Sequence, residues 1–407
     1  MKELLKRLNL KVDENNKFWQ DAFSKAQLEP EIPFFIDCEY VNKIQTEYGV
    51  FPKNFDLLMS AVEEIRKDKD LCMLAKIFYH LFSLRIERNK IFNDFELPMP
   101  PQNTENTLAY DLFSVFPIMA HIPNSYAILR GKGVDDDVCR ASHCQLDTCI
   151  SEASEEFKRP CFSNDYFLSY GAFIYLSTLR IGRFRFQMAK ESDLGAFVFE
   201  NNQGELKVLM HGVTLDKQGY VLGAIGHNDE DGSFPANVVE EKDCFIGYAV
   251  DNDTHLAQTI PTKLDKSEWS LVYKPNDAVI MVHIPYADSF DKDYCEKSYA
   301  RAREIFSRCY PEYDFKCFTT ATWFLAPVLD KVLKPTSNIY HFRKKYNIFP
   351  NKCGGLDVFN YVYKLNPSNF NQIDLQVLPE DNSLRKGIKE RLLNGEYVHE
   401  FKGVFKF

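Results

Sequence analysis

The sequence predicts an α+β protein, with a helical part over residues 1–165 and a mixed-sheet α/β part with hairpin insertions over 166–407. Three observations predict it. Apolar side chains recur at helical spacing through the first part. After Pro160 the texture changes to aromatic and β-branched runs. The stretch 277–333 then reads strand, loop, helix, strand, short helix. Two strands joined by a helix of that length imply a parallel crossover, since antiparallel strands need only a hairpin.

In the first part, Leu4, Leu5 and Leu8 begin an amphipathic pattern that Phe18, Trp19, Ala22 and Phe23 continue until Pro30 and Pro33 break it. Phe55 to Phe92 is the strongest helical run, interrupted near Lys67–Asp70. In its second half Leu74, Ile77, Phe78, Leu81 and Leu84 form one face. Residues 98–106 (PMPPQNTEN) are a loop by composition. Helical patterning resumes from Leu108 to Ile122, at Ala127–Leu129 and over Asp135–Ile150.

In the second part, Phe184, Phe186 and Met188 alternate with Arg183, Arg185 and Gln187, which is the period of a half-exposed strand. Three hairpins are expected from AFVFENNQGELKVLMHGV, YVLGAIGHNDEDGSF and DCFIGYAVDNDTHLAQTI, because NNQG and NDEDG are turn chemistry. In the crossover, the run Ala278–Ile284 stops at Pro285. Cys295, Tyr299, Ala302, Phe306 and Cys309 then mark one face of a helix, and Phe315–Phe324 is the second strand. A short helix is expected to start near Ala326–Pro327. The tail carries a last helix over Ser383–Leu393 and a closing strand in EYVHEFKGVFKF.

Composition bounds the function. A net charge of −9 argues against general binding to nucleic acid or acidic membranes, which requires a basic footprint. No apolar run approaches the roughly 20 residues that span a bilayer. The start MKELLKRLNL has charges between its leucines and no cleavable apolar core. Eleven cysteines occur without a CxxC pair and several lie in apolar runs, so free thiols and a cytoplasmic location are expected.

The functional spot of such a crossover is where its first strand ends and its helix begins, because unsatisfied N–H groups there suit an anionic ligand. Here the loop Pro285–Lys292 has no glycine, and Asp288, Asp291 and Asp293 crowd the helix start, where they act as caps. Ser289 and Ser298 offer hydroxyls, and Lys292 and Lys297 offer cations. His283, at the strand end, suits a general base, and the plainer reading is a ring that holds the strand end through backbone bonds. Tyr286, Tyr294 and Tyr299 are phenols able to act as general acids, against packing as the alternative for each. Thr319, Thr320 and Thr322 on the second strand can aim hydroxyls or backbone groups into the cleft, while Trp323 anchors the core and Cys317 reads as a buried thiol. Arg183 and Arg185 suit phosphates or a substrate carboxylate, or else pair with acids on a solvated face. Cys139, His143 and Asp147 share a helical face at i, i+4 and i+8, but no fourth ligand is defined, and no metal is expected.

Several segments carry a family resemblance: RGKGVDDDV (130–138), RIGRFRFQ (180–187), IMVHIP (280–285), TTATWFLAPVLDKVLKPTSNIYHFRKKY (319–346), and NSLRKGIKERLLNG followed by GVFKF. In these the chain resembles acyltransferase-like proteins with a helical N-terminal domain and a GNAT-like C-terminal domain (GNAT, Gcn5-related N-acetyltransferase). The resemblance implies that Val279–Ile284 receives the pantetheine arm of an acyl-CoA, acetyl-CoA or longer. It makes Pro285–Lys292 the pyrophosphate loop, and Phe315–Phe324 the strand that diverges to open the acyl slot. Ile284, Ala287, Asp288, Ser289, Lys292 and Ser298 would then meet the cofactor; His283, Tyr286 and Tyr299 would be catalytic; Arg183, Arg185, Gln187, Thr320 and Thr322 would meet substrate. The implied reaction is direct attack by a small-molecule or peptide amine on the thioester. The chain departs from the family's patterns in its glycine-free loop and at Gln187, where the strand motif ends in glutamate. A scaffold retained as a ligand-binding or protein-interaction module is the alternative.

Overall fold

The computed structural model describes residues 1–13, 16–88, 107–162, 170, 173–174, 176–190, 194–285, 289–365 and 367–407. These form two compact units: 1–181 together with 305–310, and 182–304 together with 311–407.

The first unit is helical. Asn16 and Asp37 start the helices Lys17–Ala26 and Cys38–Tyr48 by accepting the first free backbone N–H groups on their side chains. The long apolar run divides as expected into Phe55–Ile65 and Lys69–Arg88. The segment 98–106 lies outside the described residues. The stretch expected as one helix from Asp135 is two, Asp136–His143 and Gln145–Phe157. They meet at Cys144, whose thiol donates to the Gly49 carbonyl at 3.1 Å. Composition alone would let 108–131 cross a membrane, contrary to the sequence expectation. It is, however, split into Thr107–Leu112, Val115–Met119 and Ile122–Gly131, and 72% of its apolar window is buried. Leu112, Phe113, Phe116 and Ile118 thus fill the same core as Trp19, Phe51, Leu58 and Phe78. Strand β1 (Thr178–Ile181) lies beside the Asp136–His143 helix, with the Arg180 N–H donating to Ser142 Oγ at 2.9 Å.

The second unit holds β2 (Phe184–Lys190), β3 (Ala196–Asn201), β4 (Leu206–Met210), β5 (Val213–Leu215), β6 (Phe234–Ala236), β7 (Val239–Glu240) and β8 (Cys244–Ala249). It continues with β9 (Thr262–Asp265), β10 (Trp269–Tyr273), β11 (Ala278–His283), β12 (Cys317–Thr322), β13 (Asn347–Pro350) and β14 (Phe401–Lys406). Within this unit the main sheet runs β2-β11-β12-β14-β13, and a second sheet runs β10-β3-β4-β8-β7 with β9 on β8. The crossover from β11 to β12 is parallel, through the helix Lys292–Cys309. The first hairpin forms as expected, β3 with β4, whereas β8 of the third stretch pairs with β9, which lies just past Ile260 where that hairpin was expected to end. The middle one does not form. Phe234 pairs back to Leu215 instead, and the chain between them is a series of turns. Gly219, Gly223, Gly226 and Gly232 all sit at positive φ there, and the Asp216 carboxylate collects the N–H groups of Gln218 and Tyr220.

The two faces of the main sheet differ. Phe184, Phe186, Phe318 and Phe405 point toward Tyr299 on the crossover helix, at ring separations of 4.9 to 5.9 Å. Val279, Cys317, Phe349 and Val404 point the other way, into a core shared with Ala196, Val198, Val208 and Met210 of the second sheet. The short helix expected near Pro327 is a 3-10 turn, Pro327–Lys331, and the last helix is Ser383–Leu393.

Candidate active site

The main sheet is divided. β11 pairs with β2 over six residues, Ala278↔Lys190 to His283↔Arg185, and β12 pairs with β14 over six, Cys317↔Lys406 to Thr322↔Phe401. β11 and β12 themselves pair over only three, ending at Met281↔Thr319, although both strands continue. The two half-sheets therefore separate into a wedge open toward His283 and Thr322. Across its apex the Thr320 hydroxyl donates to the Val282 carbonyl at 2.8 Å.

Alternation assigns the walls. Thr320 and Thr322 share the helix-side face with Phe318, whereas His283, Gln187 and Arg185 lie on the face toward the second sheet. Thr322 is committed locally, its hydroxyl accepting from the Phe324 N–H at 3.2 Å. His283 Nε2 donates to Gln187 Oε1 at 2.8 Å, which leaves Nδ1 as the acceptor nitrogen. The ring retains accessible surface yet is enclosed by enough protein that burial, then the nearby Arg185, push its pKa down to about 4. A group both accessible and desolvated belongs to a crevice wall.

The loop after β11 is held at both ends. Arg183, buried in the turn before β2, donates from Nη1 to the Pro285 carbonyl at 2.9 Å, and its guanidinium lies 5.0 Å over the Phe290 ring. Phe290 also packs on Phe324 and Phe342. Ile284 is half-buried, and Ser289 and Lys292 are exposed beside the helix start. Asp291 caps that helix, its Oδ1 accepting from the N–H groups of Asp293 and Tyr294 at 3.0 and 3.1 Å. Tyr286, Ala287 and Asp288 lie outside the described residues.

Other residues singled out in the sequence have structural partners. Ser298 is buried; its hydroxyl accepts from the Arg183 N–H at 2.8 Å and donates to the Tyr294 carbonyl at 2.7 Å. Gly182 is required beneath it, since at φ +56° any Cβ would stand 2.4 Å from Ser298 Oγ. The Tyr299 hydroxyl shares a 2.7 Å hydrogen bond with that of Tyr346, and burial raises its pKa well above the ordinary phenol value. Burial likewise pushes the Cys317 thiol up to about 12. In the first unit, Asp147 accepts from the Lys53 and Asn54 backbones, His143 bonds Ser125 and Tyr170, and the Cys139 thiol meets the Val134 carbonyl.

Where the ends of β13 and β14 meet the second sheet and β5, a cavity of about 480 Å3 is walled by Leu194, Met210, Val213, Val221, Lys352 and Lys402. Asn351 also lines it and donates from Nδ2 to Glu400 Oε1 at 2.8 Å. Burial, then the neighbouring Asp357 carboxyl, push the pKa of Glu400 up to about 7. Sequence reading passed over Glu400 and Asn351. The alternation of the closing strand, extended one step back, was the available signal, since it puts 400 and 402 on one face.

Residues 178–405 match the family model described as the GNAT-like C-terminal domain. A comparison with curated proteins finds no match. Among solved structures, the chain is similar to an acyltransferase mutant in complex with octanoyl-CoA, at 15% identity and a TM-score of 0.63, with 100% of this chain and 99% of that one covered. An acyltransferase in complex with decanoyl-CoA and teicoplanin gives 15% identity, a TM-score of 0.61, and 100% and 98% coverage. Likeness at that identity establishes a shared fold across the whole chain.

Proposed function

The chain belongs to the GNAT-like C-terminal domain family, and from that premise we propose that it transfers an acyl group from an acyl-CoA to the amine of a small molecule or peptide. The observation that carries this reading is the wedge: paired strands that part after three residue pairs, with the crossover helix starting beside their open end. A pantetheine arm entering there would meet β11 as an added strand does, with backbone N–H groups at the strand end polarising the thioester carbonyl. The amine nitrogen forms a bond to the carbonyl carbon, the carbon–sulfur bond breaks, and CoA leaves as a thiol after taking up the proton the amine loses. His283, neutral at pH 7, orients the incoming amine through Nδ1; with a pKa of about 4 it is a weak base. Structures of similar fold hold octanoyl- and decanoyl-CoA, which favours a donor longer than acetyl. That another holds teicoplanin with decanoyl-CoA supports a small-molecule acceptor.

A second reading rests on Asp291. Its carboxylate occupies the N–H groups that a pyrophosphate would use, which favours a scaffold kept for binding something other than CoA. Thermal-shift titration with acetyl-, octanoyl- and decanoyl-CoA separates the two. A saturable rise in Tm that grows with acyl length is expected; a flat response to every CoA at millimolar concentration sinks the transferase and leaves the binding module.

A further inference from the structure

A second cavity, of about 190 Å3, opens between β13, the turn after β8 and the end of the helix Asn338–Arg343. Asn252, His255, Asp330, Arg343, Lys344 and Asn347 supply its polar wall. It lies three strands from β11, roughly 14 Å at ordinary strand spacing, and so is separate from the wedge.

The charge in this wall is out of balance. Arg343 is 2% exposed. It donates from Nη1 to the Ala326 carbonyl and from Nη2 to Asp330 at 3.0 Å. Its partner is a poor match, because the Asp330 side chain is 41% exposed against 3% for Arg343. A buried cation facing a half-solvated anion is incompletely compensated, and burial accordingly lowers the Arg343 pKa. Lys344 adds a second cation, its ammonium 5.3 Å from the Tyr340 ring. His255 adds a third basic group. Its backbone is left-handed, φ +59°. Its ring is held below the ordinary histidine pKa by burial first, then by Arg343 and Lys344, with Asp330 and Asp251 opposing. Asp251 is itself engaged by the N–H groups of Asp253 and Thr254 and by the Thr254 hydroxyl.

A guanidinium, an ammonium, an imidazole and two side-chain amides around a space for a few heavy atoms match one ligand class. We propose that this cavity binds a small oxyanion, a carboxylate or a tetrahedral anion of the phosphate type, and that His255 takes up a proton together with it. The anion supplies the charge that Asp330 leaves short. By reversing the local field it makes the imidazolium favourable, so binding and protonation are linked and affinity rises as pH falls. The inference is independent of the acyl-transfer reading and survives its failure.

The test uses the full chain labelled at histidine, with His255 assigned through H255N and NaCl holding ionic strength constant. Sulfate, doubly charged across the range, and acetate are titrated at pH 6 and pH 8. Saturable shifts of the His255 ring are expected, with sulfate binding at least about threefold tighter at pH 6. K344Q, at an exposed position, should weaken binding about tenfold while leaving Tm unchanged. H255N, whose sulfate binding is followed by isothermal titration calorimetry beside the parent at both pH values, should lose the pH dependence. Saturation by sulfate alone assigns a tetrahedral ligand, and saturation by acetate alone a carboxylate. A His255 ring that responds to neither anion overturns the proposal, as does a response unchanged in K344Q, which would mark general screening.

Discussion

Glu400 offers the most direct check on the polar chemistry beside the wedge. An isolated glutamate titrates near 4.5, whereas burial and the neighbouring Asp357 carboxyl raise Glu400 to about 7. The folded state thus keeps a proton that the unfolded state releases, and stability falls as pH rises from about 4.5 through 7. The span of about 2.5 pH units corresponds to about 3 kcal/mol at 1.36 kcal/mol per unit. Asn351 and Lys402 favour the ionised form, so about 2 kcal/mol is expected in practice. Glu400→Gln keeps the acceptor for Asn351 Nδ2, gives Asp357 a permanent donor and removes the titration. Urea unfolding of both proteins at pH 5, 6.5 and 8.5 should find the stability of E400Q relative to the parent growing by about 2 kcal/mol across that range. A difference that stays constant, or shrinks with pH, would refute the raised Glu400 pKa.

Two further outcomes follow from the wedge. Thr320→Val removes the hydroxyl that ties Thr320 to the Val282 carbonyl while conserving shape, so it should cost about 1–2 kcal/mol in denaturant unfolding. It should also reduce the Tm rise produced by acyl-CoA, since the wedge apex is no longer fixed. The His283 ring, followed by NMR, should titrate near pH 4 and move upward in R185Q. A midpoint near 6.5 in the parent protein would mean that the ring is solvated, and would restore His283 as a general base.

The elements of the crossover were legible because each answers to local periodicity. The buried positions of the helix Lys292–Cys309 repeat at three and four residues, and the last helix is announced by Asn382, whose side chain caps it. What alternation alone could not give was register. Arg183 was counted as a strand residue sharing a face with Arg185, but Gly182 turns the chain and β2 starts at Phe184, so the Arg183 guanidinium goes to the Pro285 carbonyl. Thr320 and His283 lie on the two strands of the crossover, and their sequence positions do not say which face each takes. The parallel register sets them on opposite faces of the sheet. The middle hairpin failed because its glycines permit many turns, and contacts with distant segments choose among them, as when the Cys353 carbonyl accepts the Ile225 N–H. Glu400 and Asp357 could not be paired from sequence, because nothing local marks a contact 43 residues apart.

The acidic helix start looks like the strongest objection to a CoA site, and magnitudes limit its force. Asp291 satisfies two N–H groups from an exposed position. Losing such a cap costs about 1 kcal/mol, and a carboxylate near a pyrophosphate in water adds a repulsion of similar size. A micromolar ligand brings about 8 kcal/mol. Rotating Asp291 aside would therefore weaken CoA binding about tenfold to thirtyfold without preventing it. The wedge, in contrast, has no such substitute. If β11 and β12 remained paired to their ends, no pantetheine arm could add to β11, whatever lay at the helix start. On the proposed acyl-transfer reading, donor binding depends on the separation of the strands after Met281 and Thr319, and the Thr320 hydroxyl stands at its apex.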